Sequence, residues 1–128
     1  MTDPTRPRYL PHDELPLLSG GGPGGGELRI LYGSDHGLVT SVMYQLIEPA
    51  TGPMRHRHPH TEIFVLHQGQ GRYEVDGTAV DAFAGDMVIV PPDTWHSFTN
   101  TGDAMLHQTA VHQSPRPTTL FEDGSRRD

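Results

Sequence analysis

Neither cysteine nor lysine occurs anywhere in the 128 residues. Without cysteine there are no disulfides, no thiolate nucleophile and no thiolate metal site. Without lysine there is no Schiff-base chemistry and no P-loop. All nine cationic residues are arginine, and they sit within a formal charge of −7. Nothing forms the basic stripe that a phosphate backbone would require, so nucleic acid is not an expected partner. No apolar run approaches the ~20 residues of a membrane span. The N-terminal MTDPTRPRYLPHDELP also lacks the apolar core of a secretory signal. A soluble, cytoplasmic chain with no membrane partner is the expectation. Helical periodicity with caps is missing too, and there is no internal repeat.

What is present reads as β structure between two irregular ends. Residues 1–27 are rich in proline and glycine and close on 19-SGGGPGGGE-27. That run has neither a dinucleotide-binding nor a P-loop pattern and no helix follows it, so it reads as part of a flexible arm. Leu15, Leu17 and Leu18 are positioned to pack the arm onto the domain or onto a second subunit. From residue 28 to 114, short stretches rich in β-branched and aromatic residues alternate with turn signals: LRILY, LVTSVMYQLI, EIFVLHQ, RYEVDG, TAVDAF, DMVIVPP, WHSFTN and AMLHQTAVHQ. Gly69-Gln70-Gly71 and Asp76-Gly77 read as hairpin turns. Turns every 8–12 residues imply an all-β sandwich or barrel. The tail 115–128 is polar and punctuated by proline, with Leu120 and Phe121 as its only anchors.

Nine histidines are many for this length, and they are not evenly spread. In 55-RHRHPHTEIF-64, His56, His58, His60 and Glu62 share one parity, which on a regular strand puts all four on one face. Two or three imidazoles with a carboxylate make a ligand set that suits iron and accepts manganese, zinc, nickel or copper. The same residues on an exposed strand would be no more than an arginine-flanked polar patch. Pro59 cannot donate to a sheet ladder and marks a bend after His58, so parity no longer guarantees that His60 points inward. His12, His36 and His67 read as structural.

A second segment, 85-GDMVIVPPDTWHSFTN-100, completes a pattern. Together the two segments resemble the signature motifs of the cupin superfamily. His56-x-His58, Glu62 and Gly69 follow the spacing of its first motif, and Gly85, Pro91, His96 and Asn100 that of its second. The 15 residues from Gln70 to Ala84 match the short spacer of small bacterial cupins. Two positions depart from the pattern. Asp93 replaces a turn glycine, which aspartate tolerates. Ala50 stands where the first motif has glycine, while Gly52 would suit a shifted frame beginning at His58. That shifted frame breaks the spacing to Glu62, so the resemblance selects His56, His58, Glu62 and His96.

The resemblance implies a cupin jelly-roll barrel with an irregular N-terminal arm, binding one divalent transition metal (Fe, Mn, Zn or Ni) through those four side chains. Glu62 would double as the catalytic base, and His60 would lie at the rim. The histidines' second nitrogens call for acceptors on neighbouring strands. In 104–113, His107 and Thr109 oppose Gln108, Ala110 and His112, and either face can be the inner one. Met43, Phe64, Trp95, Phe98 and Met105 are candidates for a pocket wall. The family includes dioxygenases, cyclases, isomerases and mere binders, so the fold does not choose among them. The chain looks most like the small acidic single-domain cupins of polyketide pathways in secondary metabolism. A metal-dependent enzyme acting on a small organic substrate is the first expectation, and a non-catalytic binding or sensor module the second. Homodimers are usual in the family.

Overall fold

A computed structural model describes residue 3, residues 5–22 and residues 24–128. The remaining positions of the expected arm lie outside the described residues. Side-chain alternation decides the secondary structure. Along Leu106–His112 every second residue is buried, and Glu62–Gln68 begins with the same rhythm. A pleated strand places alternate side chains on opposite faces, so each of these segments can sit only as a strand with one face in the core. Helix is confined, among the described residues, to two 3-10 turns, His12–Glu14 and Gly33–His36. No helix there is long and apolar enough to cross a membrane.

Among the described residues, twelve strands form two six-stranded sheets. They are β1 (Leu17–Gly20), β2 (Glu27–Leu31), β3 (Ser41–Ile47), β4 (His56–Arg57), β5 (Glu62–Gln68), β6 (Gln70–Val75), β7 (Thr78–Phe83), β8 (Met87–Val90), β9 (His96–Thr99), β10 (Leu106–His112), β11 (Thr119–Phe121) and β12 (Arg126–Arg127). The first sheet runs β1-β2-β3-β10-β5-β8 and the second β12-β11-β4-β9-β6-β7, every pairing antiparallel. Between them lies a core of Phe64, Leu66, Tyr73, Ala82, Val90, Phe98, Leu106 and Ala110. Burial of each large side chain there stabilises the fold by roughly 1.5–3 kcal/mol. Phe64, Tyr73 and Phe98 pack ring to ring with centroids 5.3–5.5 Å apart.

The ordered sheets extend beyond the expected unit of 28–114. At the N-terminal end, β1 pairs with β2, so the arm is not irregular throughout. At the C-terminal end the polar tail contributes β11 and β12, with Leu120 opposite Arg57 and Phe121 opposite His56. Two-residue and three-residue strands carry too little hydrophobic pattern to stand out from a loop. The reading of Gly69-Gln70-Gly71 as a hairpin turn is corrected. β5 and β6 belong to different sheets, and Gly69 is the corner between them. Its φ of +88° and the 2.8 Å that a Cβ would leave to the Met105 carbonyl both demand glycine. Asp76-Gly77 does close a hairpin, β6 to β7, with φ of 50° and 78° at its two positions.

Candidate metal centre

The His–Glu cluster is assembled where the two sheets face each other. β4 and β9 are neighbours and set His56 directly opposite His96. Past the bend at Pro59 the chain crosses to the other sheet, where β5 opens on Glu62. The turn of the second motif is tied to the first by one backbone bond, Asp93 N–H donating to the His58 carbonyl at 2.7 Å. All four candidate residues are buried, and each offers a ligand atom within 4.8 Å of the others.

The ring orientations follow from donor–acceptor logic. His56 Nδ1 donates to the Met54 carbonyl at 2.6 Å, His58 Nδ1 to the Thr118 carbonyl at 2.9 Å, and His96 Nδ1 to the Thr94 carbonyl at 2.9 Å. A carbonyl oxygen only accepts, so each Nδ1 carries the hydrogen and each neutral ring turns a bare Nε2 lone pair into the cluster. There His96 Nε2 stands 3.0 Å and His58 Nε2 3.2 Å from Glu62 Oε1. The His58 nitrogen is fully buried yet makes no hydrogen bond. Burial depresses the His56 pKa to about 4, and His96 beside it adds to the shift. For Glu62, burial alone would raise the pKa, but His112, His58 and His96 outweigh it and hold the carboxyl well below its usual range. Three imidazole nitrogens thus converge on one buried carboxylate, with His96 Nε2 within hydrogen-bond distance of Glu62 Oε1. A divalent cation is what such a donor set fits.

His112 was not singled out by the sequence, which left the inner face of its strand open. β10 turns Leu106, Gln108, Ala110 and His112 inward. His112 pairs in register with both Glu62 and Ser41, and its Nε2 lies 3.3 Å from Glu62 Oε2 without a hydrogen bond. Burial pushes it down to about 4. His60, half-buried, sits outside this shell. Its Nε2 meets His112 Nδ1 at 2.9 Å, and its ring stacks on His58 at 5.0 Å. His58, His60 and His112 form a second, overlapping group of possible ligands, but it lacks a carboxylate, and two of its nitrogens already bond each other.

A cavity of about 440 Å³ opens from the cluster between β2–β3 of one sheet and β4, β11 and β12 of the other. His56, His58, Glu62 and His112 line its floor, and Met43, Phe64 and Phe98 contribute to its wall, as expected. Trp95 does not: it lies beneath Arg57, whose guanidinium carbon is 4.8 Å from the ring centroid. Met105 is likewise not among the lining residues. Asn100 of the second motif takes no part in the cluster. Its amide donates to the Ile47 and Ala104 carbonyls and accepts from Gly102 N–H, knotting three segments together.

The chain is similar to several known proteins in sequence and in fold. Acireductone dioxygenase of Schizosaccharomyces pombe is 34% identical over 67 residues, covering 48% of this chain and 38% of that protein. The 5-aminosalicylate 1,2-dioxygenase of a Comamonas species is 30% identical over 80 residues, 62% of this chain and 21% of its own. The chain therefore spans well under half the length of both. Among solved structures, an oxalate decarboxylase of Bacillus subtilis, studied for its Mn(II) centres, superposes with a TM-score of 0.70 at 22% identity, covering 80% of this chain and 29% of that one. The model of the cupin domain matches residues 43–112, more than half of the chain and both motifs, and the chain belongs to that family.

Proposed function

We propose that the chain is a metal-dependent enzyme acting on a small organic molecule, either as a dioxygenase or as a cyclase or isomerase. The observation that carries the reading is the set of three Nδ1–H···O=C bonds, which turn the Nε2 atoms of His56, His58 and His96 into the cluster beside one buried carboxylate. His56, His58, Glu62 and His96 would hold one divalent transition metal. When bound, such an ion supplies Lewis acidity and, if it is iron, the capacity to activate dioxygen.

The protein's own part is positional. The apolar wall of Met43, Phe64 and Phe98 excludes water from the floor of the cavity and orients a substrate over it. Glu62 is the base, and its Oε2, the oxygen facing His112 Nε2, takes the substrate proton. Two named relatives are dioxygenases, which favours the oxidative arm. We further propose a homodimer, because Met87 and Ile89 are 68% and 64% exposed on the outer face of an edge strand.

The test is metal content by mass spectrometry on wild type, His96→Ala and His60→Ala, followed by oxygen uptake with phenolic, enol and thiol substrates. His96→Ala is expected to weaken metal retention by at least about 100-fold, since even the partners of ligands cost 10–100-fold. His60→Ala should retain the metal. Equal losses would overturn the ligand assignment. Substrate binding without turnover by metal-loaded protein would assign the chain to the other expected class, a non-catalytic binding module.

A further inference from the structure

Resting on that reading, the inner face of the first sheet says which substrates the cavity suits. Register stacks its inward side chains in levels. Ser41, His112, Glu62 and Val90 form the first, and Met43, Ala110, Phe64 and Val88 the second. Gln45, Gln108 and Leu66 form the third. Four residues separate the first level from the third, a rise of about 13 Å along a strand. The level between them is wholly apolar, and Phe98 adds to it from the opposite sheet.

The third level is a buried polar chain with one direction. The Tyr73 hydroxyl donates to Gln108 Oε1, Gln108 Nε2 donates to Gln45 Oε1 at 2.5 Å, and Gln45 Nε2 ends on the Met43 sulfur at 3.0 Å. Reversing both amides would set the Gln45 oxygen against the sulfur, acceptor against acceptor, so the amino group is the end that faces Met43. A thioether is a weak acceptor, which leaves a strong donor under-matched on the wall of the cavity. A two-carbon diacid would leave most of the 440 Å³ empty, and the one arginine lining the cavity, Arg127, is an exposed residue of β12.

We infer that the cavity takes an elongated molecule with an apolar, aromatic or conjugated body and an oxygen at each end. One oxygen goes to the His–Glu floor and the other accepts a hydrogen bond from Gln45 Nε2. Gln45 is thus a specificity-determining residue that reads the far end of the substrate, and Met43 holds its place when that end is missing.

Calorimetry on zinc-loaded protein tests this with 6-methoxy-2-naphthol and 6-ethyl-2-naphthol, a pair of similar size that differs in the distal acceptor. The methoxy compound is expected to bind about five- to tenfold more tightly, as one neutral hydrogen bond allows. Both Gln45→Leu and Gln45→Met, which cannot donate there, should erase that preference. Equal affinities in the wild type, which needs no variant to fold, would overturn the inference. So would a preference that survives both substitutions, or oxalate binding more tightly than either naphthol. Protein that takes up no zinc would overturn the metal-centre reading instead, so the two failures are told apart.

Discussion

At the scale of single residues, the centre couples protonation to stability. His56 and His112 are depressed to about 4 from an ordinary 6.5, burial being the first cause in both. Between those values the unfolded chain binds protons that the folded chain refuses, so the stability these rings confer is complete above about pH 6.5 and drains away as the pH falls towards 4. Each buried ring contributes a slope on the order of 1 kcal/mol per pH unit. Glu62, depressed as a carboxylate, acts in the same direction further into acid. Metal-free protein should therefore melt at a lower temperature at pH 5 than at pH 7. The His112→Gln variant, which removes one of the two rings, should show a shallower dependence. A melting temperature that is flat or rising towards pH 5 would mean that the rings are not buried neutral. Metal retention should weaken as the pH nears 4, where the His56 imidazole takes a proton and can no longer ligate.

At the scale of elements, the strained backbone positions explain the departures from the motifs. Ala50 occupies the glycine position of the frame beginning at His56, and its φ is 63°, the left-handed region that glycine enters freely. Gly52, the candidate for the shifted frame, has a different reason to be glycine: a Cβ there would stand 1.8 Å from the Phe98 carbonyl. Ala50→Gly should stabilise the fold by about 0.5–1 kcal/mol, the relief of left-handed strain less the entropy of a more flexible unfolded chain. That corresponds to a rise in melting temperature of about 2–5 °C, readable by calorimetry, and a fall would contradict the strain. Asp93, at φ 58°, should gain less from the same change, since aspartate tolerates that region. The four clustered residues were legible in the sequence because their spacing is local and chemically distinctive. The acceptor for His58 was not: the Thr118 carbonyl lies just before β11, a strand too short to show a pattern, 60 residues away. His112 and Gln45 stayed hidden for another reason. Their places follow from register between β3, β10 and β5, and alternation gives two faces without saying which is inner.

At the scale of the molecule, the first sheet has an outer face that its own chain does not cover fully. Cross-strand partners Ile89, Ile63, Val111, Val42 and Leu31 form an apolar row over five strands, with Met87 and Val65 alongside. The row begins at β8, an edge strand with one neighbour, where Met87 and Ile89 are most exposed. The formal charge of −7 on every copy opposes self-association, so a homodimer on this face has to be held by apolar burial against net repulsion. Added salt screens that repulsion, with a Debye length of about 10 Å at 0.1 M and about 3 Å at 1 M, while leaving the apolar contact intact. Dimerisation should accordingly strengthen as sodium chloride is raised, the reverse of an interface held by ion pairs. Ile89→Glu places a buried charge in the row and adds to the repulsion, and light scattering should find it monomeric where wild type shows twice the chain mass. Wild type that is itself monomeric, or a dimer that dissociates as salt is raised, would rule out this face as the contact.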